Sequence, residues 1–270
     1  MPYFLPQPKQ AASTKWLFTL IAIMVLVLNA CASDPDKGDD NSKWSAEKLF
    51  KEAKSALEAE DYETAIQNYE TLEAKYPFGR FAEQAQLDTA YAYYKFDEPD
   101  TAISAADRFI KLHPRHRNVD YAYYLRGLAS GGKNNNPLNF LEEQDPSLRD
   151  PSSTQKSYNY FAELVKKFPD SRYTPDALKR MGHLRNHMAM HEIHVANYYA
   201  ERSAYVAVAN RAKYVISNFP RTPAVRPALK LLVDAYKHLK MDDLAADAQR
   251  VLDLNVDPKA VAKEKLYLNP

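Results

Sequence analysis

Asp61-Tyr62-Glu63-Thr64-Ala65-Ile66-Gln67-Asn68-Tyr69-Glu70-Thr71-Leu72-Glu73-Ala74-Lys75-Tyr76-Pro77 is the stretch that decides the fold. Ala65, Tyr69 and Leu72 follow one another at the spacing of a single helix face. Pro77 stops the run, because proline pushes the residue before it out of the α region and cannot continue the hydrogen-bond ladder. Glu60-Asp61 supplies the turn ahead of Tyr62.

The same punctuation recurs at His113-Pro114, Phe168-Pro169 and Phe219-Pro220. The first two prolines are 37 residues apart, close to a helix-turn-helix repeat of about 34 residues. The later intervals are 55 and 51, which implies an insertion in one and longer helices in the other. Counting back 24, 12, 8 and 5 residues from Pro77 gives Ala53, Ala65, Tyr69 and Leu72; from Pro114 the same steps give Ala90, Ala102, Ala106 and Phe109. This is tetratricopeptide spacing: small residues let two helices of a hairpin approach, and larger ones fill the seam between hairpins. From Pro220 the steps give Ala196, Val208, Ala212 and Val215, and from Pro169 the last three give Ser157, Phe161 and Leu164, both looser matches.

Asp150-Pro151, Thr174-Pro175 and Thr222-Pro223 read as helix starts, with a side-chain oxygen at the N-cap and proline at the first helical position. A last hairpin runs from about Pro223 to Lys240 and from Asp242 to Leu254. Strand signals are nearly absent. The expectation is an all-α, right-handed solenoid of about five helix hairpins, stacked because no pair hides its apolar face alone.

Ahead of the repeats, Lys9 and Lys15 precede the apolar run Trp16 to Leu28, which closes on Leu28-Asn29-Ala30-Cys31 at the chain's single cysteine. Thirteen residues fall short of the roughly 20 needed to span a bilayer and fit the core of an export signal. The run resembles a lipoprotein signal, so residues 1–30 are expected to be cleaved and Cys31 to carry lipid. More than one acyl chain makes such an anchor stable. Residues 31–45, polar and without an apolar cluster, read as a flexible tether. The repeats then divide into residues 46–130, an Asn/Gly/Pro-rich insertion at 131–151, and residues 152–270.

Two of the 36 basic residues and none of the 35 acidic ones lie in residues 1–30, which leaves 34 against 35 and a mature charge of −1. Nothing in that balance draws the chain to nucleic acid or, by itself, to an anionic leaflet.

Signals for chemistry are sparse. Gly127-Leu128-Ala129-Ser130-Gly131-Gly132-Lys133-Asn134 has the spacing of a phosphate-binding loop, but Asn134 replaces the metal-binding hydroxyl and a helix precedes it. His183, His187, His191 and His194 form one stripe of a long helix, either a polar face or neighbouring zinc ligands. No nucleophile elbow, dinucleotide fingerprint or paired-carboxylate pattern is present, so neither an enzyme nor a cofactor is expected. Tyr91-Ala92-Tyr93-Tyr94 and Tyr121-Ala122-Tyr123-Tyr124 recur on the first helices of adjacent repeats. Part of each quartet must be core, and the remaining rings suit peptide recognition.

Several longer stretches are more specific. They are Tyr76-Pro77-Phe78-Gly79, Arg149-Asp150-Pro151, Phe168 through Thr174, and Val195 through Tyr199 with Arg202 through Arg211. Across nearly all of the mature chain they resemble the BamD (ComL-type) family of outer-membrane assembly lipoproteins. The resemblance implies five tetratricopeptide repeats, a triacylated Cys31, and a non-enzymatic place in the complex that inserts β-barrel proteins. It also implies C-terminal repeats that bind a BamA-type barrel subunit, with accessory lipoproteins in the same complex, and N-terminal repeats that receive C-terminal segments of unfolded barrel precursors. Ala32 after the cysteine implies sorting to the periplasmic face of the outer membrane. Tyr91, Tyr94, Tyr121 and Tyr124 are the candidates for the precursor groove, and Arg202 and Arg211 for the barrel-subunit contact. The insertion Asn134–Leu148 and the histidine stripe stand outside the family pattern. The rival readings are another periplasmic repeat lipoprotein, serving a cell wall or secretion system, and a metalloenzyme built on the histidines.

Overall fold

A computed structural model describes residues 43–131 and 151–255. Cys31, the export signal, most of the tether and nearly all of the 131–151 insertion lie outside those residues. The described residues form ten α-helices and no strand: α1 (Ala46–Glu58), α2 (Tyr62–Lys75), α3 (Arg80–Lys95), α4 (Pro99–Leu112), α5 (Val119–Ser130), α6 (Pro151–Lys167), α7 (Thr174–Ala200), α8 (Tyr205–Asn218), α9 (Val225–His238) and α10 (Asp242–Leu254). Each helix packs on the next one in sequence, and first helices of successive hairpins also touch: α1 with α3, α3 with α5, α7 with α9. This is the tetratricopeptide-like stack that the proline register predicts.

The register also marks the core. Ala53, Ala65, Tyr69, Leu72, Ala90, Ala102, Ala106 and Phe109 are all fully buried, and so are Leu164, Ala196, Ala212 and Val215. Ser157, Phe161 and Val208, from the looser matches, are buried almost as completely. Full burial of a large apolar side chain stabilises by about 1.5–3 kcal/mol, and alanines beside them permit the close approach.

Helix stops follow the same logic. The residue before each repeat proline, Tyr76, His113, Phe168 or Phe219, donates its N–H to the carbonyl of Leu72, Phe109, Leu164 or Val215, and the helix goes no further. Inside the hairpins one turn is used four times. Glu60, Asp97, Ser203 and Lys240 adopt left-handed φ of +57° to +69°. The next residue then donates back five positions: Asp61 to Ala56, Glu98 to Tyr93, Ala204 to Tyr199 and Met241 to Tyr236. That is a Schellman closure without glycine. The expected threonine caps are not formed. The Thr174 and Thr222 hydroxyls donate to the carbonyls of Phe168 and Phe219, at 2.7 and 2.8 Å, and so brace the corners instead. Thr174 is itself the first residue of α7, and α9 starts only at Val225.

The 51-residue interval has a simple cause, for α7 is 27 residues long. Its first half, with Ala177, Met181 and Leu184, belongs to a middle core built on Leu87, Phe109, Tyr123, Leu125 and Phe161. Its second half, with Ala189 and Ile193, belongs to a C-terminal core of Val208, Ala212, Val215, Ala228 and Val233. One helix therefore joins two cores.

Candidate functional site

The two tyrosine quartets divide as their positions dictate. Ala92, Ala122 and Tyr123 go into the core, while Tyr91, Tyr94, Tyr121 and Tyr124 are half-buried against it. Tyr91 and Tyr94 neighbour each other on α3, with ring centres 6.5 Å apart. Tyr121 and Tyr124 on α5 meet on Tyr173, which precedes α7. Tyr124 stacks on it at 4.9 Å and 18°, and Tyr121 lies 5.2 Å away. Tyr173 was not among the residues the sequence singled out for this face, because it becomes their neighbour only when the corner between α6 and α7 folds back.

The Tyr124 hydroxyl is committed. Tyr124 donates to the Asp176 carboxylate, and Arg180 donates its Nε–H to the same oxygen. Burial followed by that bond pushes the Tyr124 phenol up to about 12, so it remains a neutral donor. For Asp176 burial acts upward, but the bonds from Tyr124 and Arg180 outweigh it and hold the carboxyl below its ordinary range. Burial, reinforced by Tyr91, also pushes the Tyr121 phenol up. The face therefore offers flat rings, with the polar edge of Tyr124 fixed on Asp176.

Beside it opens a cleft of about 990 Å³, between the end of α5, the start of α6 and the first half of α7. Tyr94, Ile103, Leu128 and Leu184 give it apolar walls, Arg180 and Lys156 give it cationic ones, and His183 lines it with an imidazole. Here α5 and α7 meet less extensively than the other successive first helices do, chiefly through Tyr124 and Asp176. Of the four predicted tyrosines only Tyr94 borders the cleft.

Next to this site, Arg126 lies between the rings of Tyr123 and Tyr160, 4.6 Å from each. Its guanidinium forks to Asp107 on α4 and Glu163 on α6, both at 2.7 Å. Lys167 adds bonds to the Tyr123 hydroxyl at 2.8 Å and to Glu163 at 2.9 Å. Nothing in the local sequence announces this clamp, since its bonds between helices join residues 19 to 44 apart.

The two predicted partner arginines have separate settings. Arg202, exposed after α7, lies over the Tyr198 ring at 3.6 Å and donates to the Tyr198 carbonyl at 3.1 Å. Arg211, on α8, donates to Glu192 on α7 at 2.9 Å and staples that hairpin.

The remaining candidates resolve differently. Gly127 to Ser130 belong to α5 and form no loop. Gly127 is required because a Cβ there would run into the Phe161 ring, and its carbonyl accepts from Ser157 at 2.7 Å. Gly132–Asn134 lie outside the described residues. His183 and His187 face the cleft, while His191 and His194 are half-buried further along α7. Among the described residues no group of three or more His, Cys, Asp or Glu is placed to hold a metal ion, and no helix is long and apolar enough to cross a membrane.

Comparison with known proteins adds the family. Residues 42–252 match the model of YfiO, described as an outer membrane lipoprotein. The chain is 47% identical to the outer membrane protein assembly factor BamD of Neisseria gonorrhoeae over 233 residues, 85% of this chain and 87% of that protein. It is 37% identical to the BamD of Xylella fastidiosa (strain Temecula1 / ATCC 700964), over 93% of this chain and 85% of that one. With the BamD of Vibrio cholerae serotype O1 it shares 34% identity, over 88% and 98% of the two chains. By these matches the chain belongs to the YfiO/BamD family of outer-membrane lipoproteins.

Proposed function

We propose that this chain is a lipid-anchored, non-enzymatic adaptor of outer-membrane β-barrel assembly. The observation that carries the reading is family membership across residues 42–252, with relatives named as assembly factors. In this reading Cys31 carries acyl chains that hold the repeats at the periplasmic face of the outer membrane. The tyrosine face and its cleft receive extended segments of unfolded barrel precursors, whose unpaired strand edges otherwise aggregate. Rigid, largely apolar rings hold such a segment through surface contact and shape. The repeats around Arg202 and Arg211 dock a BamA-type barrel subunit, alongside accessory lipoproteins, which raises the local concentration of precursor at the insertion site.

Photocrosslinking to a peptide with the sequence of a barrel's C-terminal strand tests the groove. Replacing Tyr91, Tyr94, Tyr121 and Tyr124 together by alanine is expected to abolish crosslinking, and Tyr94→Ala alone to weaken it without loss of helical signal. Unchanged crosslinking in both variants rejects the assignment. For the partner contact, charge reversal at Arg202 and Arg211 is expected to deplete the barrel subunit from detergent-solubilised complexes. Full recovery of the complex rejects that part.

A further inference from the structure

The last described helix leaves an apolar stripe open. Met241 just ahead of α10, with Leu244 and Val251 on it, is 46, 46 and 41% exposed. These residues lie on the same side of the helix as buried Ala248, next to the face where Ala245 and Leu252 meet the core. A further helix of the stack would cover this position. Among the described residues, the substantial packing partner of α10 is α9 alone.

The chain itself supplies an occupant. Each of α1 to α9 packs on the helix that follows it in sequence, and the segment after α10 is Val256-Asp257-Pro258-Lys259-Ala260-Val261-Ala262-Lys263-Glu264-Lys265-Leu266-Tyr267-Leu268. Asp257-Pro258 repeats the pair that stands before α6. Val261, Leu266 and Leu268 supply apolar side chains. Charge agrees as well: α10 carries Asp242, Asp243, Asp247 and Asp253 against Arg250, while the following segment carries Lys259, Lys263 and Lys265 against Asp257 and Glu264. Repeat arrays need such an end cover for solubility.

We propose that residues 256–268 dock on the Met241–Leu244–Val251 stripe of their own chain and close the C-terminal end of the array. The inference does not rest on the assembly function, and it directs partner docking to surfaces other than this one.

Disulfide trapping tests it in the full chain carrying Cys31→Ser, so that introduced thiols are the only ones. Val251→Cys is paired in turn with Val261→Cys, Leu266→Cys and Leu268→Cys. Asp253→Cys, on the opposite side of α10 and equally near in sequence, is paired with the same three positions as the control. At least one Val251 pair is expected to close an intramolecular disulfide on the order of tenfold faster than its control, since a fixed contact exceeds the millimolar effective concentration of a short free linker. Disulfide-linked dimers in place of internal closure would assign the stripe to a second copy and overturn the proposal. So would control-like rates for all three pairs, which would leave the stripe to a different protein.

Discussion

The middle and the C-terminal end of the array share one hairpin plan but fill it with different side chains. The middle core buries Phe109, Tyr123 and Phe161 and is fringed by six half-buried aromatics. The C-terminal core buries alanines with Val208, Val215, Val233, Ile193 and Leu232, and no aromatic is among its buried members. The tyrosines among these rings carry polar edges that draw charge inward, as Arg126 between Tyr123 and Tyr160 shows. Small residues pack closely and leave nothing polar inside. The same architecture therefore yields an aromatic core bridged by charge in the middle and an aliphatic core, fringed by Tyr199, Tyr205, Phe219 and Tyr236, at the end.

The largest contrast is expected from truncating core side chains. Phe161 is 2% exposed and fixed between Gly127 and Tyr124. Phe161→Ala should cost about 3–5 kcal/mol, while the C-terminal Ile193→Val should cost about 0.5–1.5. Urea unfolding of the two variants measures both. A cost for Phe161→Ala below that of Ile193→Val would show that the aromatic core is loosely packed and break the comparison.

A second contrast is in pH. Asp88 on α3 accepts from Gln84 at 2.7 Å and from the Tyr69 hydroxyl at 3.4 Å, and burial, the largest influence, pushes its carboxyl up to about 6. Among the described residues of the C-terminal helices, no buried side chain is a carboxylate. Between pH 6 and 4 the folded chain takes up this proton before the unfolded chain does, so Asp88 adds stability as pH falls through that window and withdraws it as pH rises. With about 1.4 kcal/mol per unit of separation, the effect is at most about 3 kcal/mol. Asp88→Asn should remove it. Parallel stability–pH curves for parent and variant would show that Asp88 titrates as an exposed acid.

The contrast also explains what was legible in advance. Proline offsets located buried positions from Ala53 to Val215 because a repeat imposes one packing register on many copies, and local periodicity records it. The tyrosine quartets were legible for the same reason. Thr174 and Thr222 were misread because a hydroxyl beside a helix start has two acceptors or donors within reach, and the corner geometry that selects the carbonyl of Phe168 or Phe219 is tertiary. Tyr173, Asp176 and the Arg126 clamp were illegible for a stronger reason. Tyr124 and Asp176 are 52 residues apart, and nothing in either neighbourhood refers to the other.

That clamp gives the third test. Arg126 is 8% exposed at its side chain, whereas Arg211, its C-terminal counterpart in tying two helices, is 44% exposed. Breaking a fully buried pair costs about 3–5 kcal/mol. Asp107 and Glu163 are 47 and 37% exposed and can regain water, so Arg126→Met should cost about 2 kcal/mol after that discount. Arg211→Met should cost under about 1 kcal/mol. Arg126→Lys should restore little, since an ammonium cannot fork to two carboxylates in the plane between two rings. Equal costs for the two methionine variants, read from chemical denaturation, would mean that burial does not distinguish the regions.

The smallest effect tests what the regions share. Asp97 in the middle and Lys240 near the end hold the same left-handed position, at φ +69° and +58°. A left-handed conformation costs an L-residue about 1–2 kcal/mol, and glycine returns about 0.5–1 of that through its greater freedom when unfolded. Lys240→Gly should therefore raise stability by up to about 1 kcal/mol. Asp97→Gly should gain less, because aspartate tolerates this conformation better than most residues. Thermal unfolding resolves such increments. If the gains fall in that order, the turn obeys residue chemistry alone wherever it stands, and the difference between middle and end resides in the cores. A gain at one end only, in the opposite order, would instead make the turn itself part of the regional difference.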